Sequence, residues 1–320
     1  MELNEIYAPV QEDLIKVKKS LTSISRIDYQ WLSEQLSFLV RETGKALRPA
    51  LTLLSGKCFK YNLTYLMPMS VSVELMHTAT LVHDDAIDNA LTRRGRATIN
   101  SIWGDEIAIL MGDYLFAKAG EAVADTQSPR VIKLFSQTLG TISSGEINQF
   151  RGAFDIKQSR ENYFHRIYGK TASLFSLSTQ SGAILSEAPE ESVAIMKEYG
   201  DNLGIAFQIV DDILDFTSTE EAMGKPVGSD LIQGTLTLPA IMLAERYPED
   251  NPVQKTFETK DTKYVAKAID MVRNSDIIDE CFKTASEYCE KACHNLRSLP
   301  DTASRQSLYD LADFVLVREV

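Results

Sequence analysis

Two five-residue runs, Asp84-Asp85-Ala86-Ile87-Asp88 and Asp211-Asp212-Ile213-Leu214-Asp215, place the same arrangement of carboxylates in widely separated parts of the chain. On a helix the first and fifth residues of such a run share a face, and the second lies about 100° around the axis. Each run therefore offers a hard cation two or three oxygen ligands. Six acids on two facing helices repel one another, and Mg²⁺ between them relieves the repulsion. Mg²⁺ keeps several waters and completes its octahedron with substrate phosphates, so the arrangement predicts two or three ions facing a diphosphate. A solvated helix face is the competing explanation. Against it stand Leu81 and Val82 before the first run, and Ile205, Ala206, Phe207, Ile209 and Val210 before the second. Carboxylates in such company are partly buried and need a partner or a metal.

The formal net charge is −12, which disfavours nucleic acid or an anionic surface as the main partner, so an anionic substrate needs a local basic pocket. Gly44-Lys45-Ala46-Leu47-Arg48-Pro49 sets two cations at the start of a helix, where free backbone N–H groups already favour an anion. Arg93-Arg94-Gly95-Arg96 follows the first acidic run. Lys170-Thr171 lies inside an apolar helical stretch, and Gly224-Lys225-Pro226 lies in a loop beyond the second run. Cys58, Cys281, Cys289 and Cys293 lack a C-x-x-C spacing and read as reduced thiols, while His77, His83, His165 and His294 are too scattered for a zinc site.

The elements that must position these groups are helices. Predicted helices cover 8–22, 28–42, 47–60, 65–88, 101–124, 129–150, 160–185, 190–217, 235–246, 262–273, 275–297 and 301–318, with no useful strand alternation. The stretches 71–82 and 203–213 are too apolar for one-sided helices and read as central ones, with the acidic runs near their C-terminal ends. Sixteen Gly and ten Pro in 320 residues, with no linker, fit one all-α domain spanning 1–320. No leader and no run of 18 apolar residues is present, so a soluble, cytoplasmic protein is expected.

The run from His77 to Asp88, followed by Arg93-Arg94-Gly95, resembles the first aspartate-rich motif of the trans-isoprenyl (polyprenyl) diphosphate synthases, and Phe207 to Asp215 resembles the second. Gly44 to Pro49, Gly112-Asp113-Tyr114-Leu115, Gly145-Glu146, Lys170-Thr171-Ala172 and Gly224-Lys225-Pro226 through Leu238-Pro239 match the family's other landmarks in order, from about Tyr7 to Arg318. The resemblance implies an isoprenoid-synthase helical bundle around a central cavity. It implies a Mg²⁺-dependent prenyltransferase, which ionises an allylic diphosphate and joins the cation to isopentenyl diphosphate in successive trans condensations. It also implies a homodimer whose product passes to a membrane.

Carried over by position, the resemblance makes Asp84, Asp85, Asp88, Asp211, Asp212 and Asp215 the metal ligands. Arg93, Lys170, Thr171, Gln208 and Lys225 would contact the allylic diphosphate or its leaving group. Lys45, Arg48, His77 and Arg94 would hold isopentenyl diphosphate without metal. Two departures stand out: Ala46 where an Arg is often found, and Thr235 where a Lys is frequent. Residues one, two and three turns before Asp84 would meet successive isoprene units, since a turn rises about one unit's length. Those levels hold Ala79 with Thr80, then Met76, then Val73 with Ser72. Short-chain members place an aromatic floor in the first turn. Its replacement by Ala79 and Thr80 predicts a product longer than four units, about six to ten, unless Met76, Phe116 or Phe135 closes the tunnel lower down. A short-chain synthase, a terpene cyclase and a subunit of a heteromeric synthase are the alternatives.

Overall fold

The computed structural model describes residues 2–40, 44–93, 95–219 and 226–318. Helices dominate it: α1 (Gln11–Ser23), α2 (Gln30–Val40), α3 (Leu47–Lys57), α4 (Leu63–Ile87), α5 (Asp105–Ala124), α6 (Pro129–Gly152), α7 (Arg160–Ile167), α8 (Ser173–Leu185), α9 (Glu190–Thr217), α10 (Leu238–Arg246), α11 (Pro252–Thr259), α12 (Thr262–Arg273), α13 (Ile277–His294) and α14 (Ala303–Val317). Shorter helical turns lie at Leu3–Ile6, Ile99–Trp103 and Ser229–Ile232. The all-α expectation holds, and one hydrophobic core runs from Ile6 to Val315.

α8 lies at the centre, packed against α3, α4, α6 and α9. Its sequence suits burial on all sides because it is built from Ser, Thr, Gly, Ala and Leu. Small side chains let neighbouring helices approach, and the buried hydroxyls find carbonyl partners: Ser178 donates to the Leu174 carbonyl at 2.8 Å and Thr179 to the Met196 carbonyl at 2.6 Å. On α9, a Cβ added at Gly204 would meet the Ala172 Cα at 2.5 Å. Glycine there lets α9 reach the backbone just before α8. The two helices that carry the acidic runs, α4 and α9, thus both flank α8.

Four local features depart from the sequence expectation. The stretch expected as one helix over 101–124 breaks at Gly104, whose φ of 92° no L-residue adopts comfortably. The helix expected over 160–185 is interrupted by a π-turn at Tyr168–Ala172. Thr92–Arg93 and Arg96–Ala97 form a two-residue antiparallel hairpin. α11 was not expected, although Asn251 followed by Pro252 is a strong start signal: the Asn251 side chain accepts from Val253 N and Gln254 N. Gly204→Ala is expected to destabilise by about 1–3 kcal/mol, because backbone rather than a flexible side chain must move. Thermal unfolding of the variant checks this.

Candidate active site

The first run closes α4: Asp84 and Asp85 lie in its last turn and Asp88 is its C-cap. A helix C-terminus carries a partial negative charge, so carboxylates there demand cations. The hairpin after α4 returns one: Arg93 Nε donates to Asp85 Oδ1 at 2.8 Å, and Nη2 lies 2.8 Å from the same oxygen. Lys170 Nζ lies 3.4 Å from Asp84 Oδ2 and 2.9 Å from Glu146 Oε1. Burial raises the carboxyl pKa of Asp85 and of Asp88 above the ordinary range, partly offset at Asp85 by Arg93 and at Asp88 by Lys170. Burial also raises Glu146, again partly offset by Lys170.

The second run occupies the last two turns of α9. Asp212 accepts from Tyr163 Oη at 2.7 Å and from Gln208 Nε2 at 2.9 Å. Burial, then the negative charge of Asp230, push its pKa up to about 7. Asp215 accepts from Ser229 Oγ at 2.9 Å and from the Asp230 N–H at 3.2 Å, anchoring the short helix that follows the second run. Asp211 pairs with Arg318. Arg273 caps the exposed carbonyls of the same helix end, donating to Phe216 O at 2.6 Å and Ser218 O at 2.9 Å.

The π-turn before α8 joins the two runs. Lys170 reaches the first through Asp84, and the adjacent Thr171 donates to Gln208 Oε1 at 2.5 Å, whose amide in turn holds Asp212. A π-turn widens the helix by one residue, a distortion frequent at functional sites. The charge of Asp230 acts on both Asp88 and Asp212, so the ends of the two runs lie within electrostatic range of one carboxylate.

The other predicted residues fall as follows. Lys45 lies at the entry to α3, its ammonium 5.9 Å from the centre of the Phe314 ring, and Arg48 lies over Phe175 at 5.0 Å. Ala46, between them, takes a left-handed φ of 48°. His77 is half-buried on α4. Ala79 and Met76 are fully buried, and Thr80, half-buried, donates to the His77 carbonyl. Phe116 meets the His83 ring edge-on and Phe135 is buried on α6. Arg94 and Lys225 lie outside the described residues.

Sequence reasoning gave no role to Glu146, Tyr163, Arg166, Asp230 or Arg318. Arg166 is buried, donating to Leu236 O at 2.6 Å and Gln158 Oε1 at 3.0 Å, and its charge acts on Asp212. It brings a cation beside the second run, bonded to the residue after Thr235, which departs from the Lys frequent at that position in the family. The residues fit a hard divalent cation: the donors are all carboxylate oxygens, and burial leaves the charge of Asp85, Asp88 and Asp212 under-compensated. Among the described residues no three metal-ligating side chains form a ready-made cage, so an ion there would draw its remaining ligands from water and substrate.

Residues 29–273 match the family described as Polyprenyl synthetase, and the chain belongs to that family. It is 36% identical over 319 residues to heptaprenyl diphosphate synthase component 2 of Geobacillus stearothermophilus, covering 100% of each. It is 34% identical over 317 residues to the all-trans-nonaprenyl-diphosphate synthase (geranyl-diphosphate specific) of Rhodobacter capsulatus, covering 98% of this chain and 97% of that protein. The heptaprenyl diphosphate synthase structure from Staphylococcus aureus superposes with a TM-score of 0.93 at 35% identity, over 100% of this chain and 99% of that one. The polyprenyl synthase of Caulobacter crescentus CB15, complexed with calcium and isoprenyl diphosphate, superposes with a TM-score of 0.95 at 28% identity, over 100% of this chain and 98% of that one.

The raised pKa of Asp212 has a defined sign. The folded chain holds this proton more tightly than the unfolded chain does, so the group favours folding most at acid pH. That contribution is lost as pH rises from about 4, the ordinary carboxyl value, to about 7. Melting temperatures of the metal-free protein across this range should fall more steeply in the wild type than in Asp212→Asn.

Proposed function

We propose that this chain elongates an allylic diphosphate by successive trans condensations with isopentenyl diphosphate. The product is a polyprenyl diphosphate longer than four isoprene units, by the levels set along α4, and pyrophosphate is released. The observation that carries the reading is the π-turn whose consecutive residues, Lys170 and Thr171, connect to the two acidic runs. Residues 1–320 act as one polyprenyl synthase domain, cytoplasmic and homodimeric, whose product passes to a membrane.

Asp84, Asp85 and Asp88 on one side and Asp211, Asp212 and Asp215 on the other would hold two or three Mg²⁺. When bound, Mg²⁺ supplies the positive charge that stabilises the leaving pyrophosphate. Lys170 and Arg93 add N–H donors at the same place, and Lys225 joins them by its position in the sequence. These donors act on charge that builds only as the C–O bond breaks, so they lower the barrier rather than merely tighten binding. The bond's electron pair leaves with pyrophosphate. Lys45, Arg48, His77 and Arg94 hold the second diphosphate so that its alkene attacks the allylic cation, after which a proton is lost. The apolar flank of α4, with Ala79, Met76 and Val73 fully buried, keeps water from quenching the cation and must part to receive the growing tail. A terpene cyclase has no second diphosphate to hold, and the Lys45 and Arg48 pair argues against it.

The relative named heptaprenyl diphosphate synthase component 2 favours one further reading, a chain that works with a second subunit. Incubating the purified chain with Mg²⁺, farnesyl diphosphate and isopentenyl diphosphate separates the two. Elongation that EDTA abolishes supports the primary reading, and absence of turnover without an added subunit supports the other. Ala79→Tyr is expected to shorten the product by mass spectrometry. An unchanged chain length would refute the open-floor argument.

A further inference from the structure

Arg318 follows α14, and its side chain is 7% exposed whereas that of Asp211 is 42% exposed. The guanidinium lies over the Phe207 ring, 3.7 Å from its centre, and Nη2 donates both to the Phe207 carbonyl, at 2.9 Å, and to Asp211 Oδ1. Phe207 and Asp211 are one turn apart on α9, so a single guanidinium spans that turn. One turn earlier on α14, Phe314 lies beneath the Lys45 ammonium. The end of α14 therefore touches both the second acidic run and the basic entry to α3.

We propose that Arg318 is a displaceable internal counter-ion of Asp211, competing with a divalent cation for that carboxylate. The inference rests on the reading of the acidic runs as a divalent-ion site. A carboxylate oxygen engaged by a guanidinium presents a weaker donor to a metal, and a fixed positive charge beside it repels a second cation. Stacking on Phe207 and the bond to its carbonyl keep the guanidinium ordered without Asp211, so losing the pair need not unfold the end of α14. Entry of the cation is thereby coupled to release of the Arg318–Asp211 pair, while the contacts of Arg318 with Phe207 remain.

The test is Mn²⁺ binding to the protein without substrate, followed by loss of the free-ion electron paramagnetic resonance signal. Arg318→Met keeps length and an apolar contact with Phe207 but removes the charge. It is expected to bind Mn²⁺ about tenfold more tightly than wild type, the effect of releasing one charge-assisted hydrogen bond. Arg318→Lys should restore near-wild-type affinity, and in an Asp211→Asn background Arg318→Met should change nothing. Arg318→Gln, uncharged but still able to donate to the Phe207 carbonyl, gives the same comparison should Met disturb the helix end. Unchanged or weaker Mn²⁺ binding in folded Arg318→Met or Arg318→Gln overturns the proposal. If neither wild type nor folded Arg318→Met binds Mn²⁺, with or without added inorganic pyrophosphate, the divalent-ion reading falls and this inference with it.

Discussion

Two helices that end in carboxylates set the terms for the rest of the molecule. Each C-terminus already bears about half a negative charge from its aligned peptides, and α4 and α9 add Asp84, Asp85, Asp88, Asp211, Asp212 and Asp215 in their last turns or cap. Burial compounds the cost: it pushes Asp85, Asp88 and Asp212 toward the protonated form. The chain answers with cations drawn from distant segments. Arg93 comes from the hairpin, Lys170 from the π-turn, Arg166 from α7, Arg273 from the end of α12 and Arg318 from beyond α14. Under the proposed function, a divalent cation with its diphosphate would occupy the space they surround.

That convergence requires helices close enough for short side chains to meet. α8 supplies the axis because its small residues let α4 and α9 lie against it, and Gly204 lets α9 touch the backbone at Ala172. The π-turn then changes the register of the chain just ahead of α8. Without it, Lys170 and Thr171 would stand on a regular helical spiral. With it, one reaches Asp84 and the other reaches Gln208 beside Asp212. A local departure from ideal geometry thus links two sites that the sequence shows only as separate runs.

The acidic runs were legible because their spacing is a property of a single helix and their apolar neighbours announce burial. Lys170 was legible for the same reason, a cation inside an apolar stretch. Glu146 stood in view within a family landmark, but its chemistry depends on α6 meeting the π-turn, and nothing local to Gly145-Glu146 encodes that. Tyr163, Arg166 and Arg318 were illegible for the same cause at longer range: each acts on a group from another helix, and side-chain pattern carries no record of which helices will touch. The π-turn itself was hidden because a single Gly169 is tolerated inside a helix and the apolar period runs through it. The missed α11 is a different failure, since its Asn-Pro start lay within reach of local reasoning.

α4 unites the charged and apolar halves of the chemistry. Its end carries the first acidic run, and Ala79, Met76 and Val73 are fully buried along the turns that lead away from it. In the proposed mechanism, a cation generated at the acidic mouth would have its tail directed along the same helix. Charge at the mouth would then govern whether the bond breaks, and side-chain volume further down how long the tail can grow. Because the two are separated by whole turns of α4, the proposed mechanism would let tail length change without altering the electrostatics that drive ionisation.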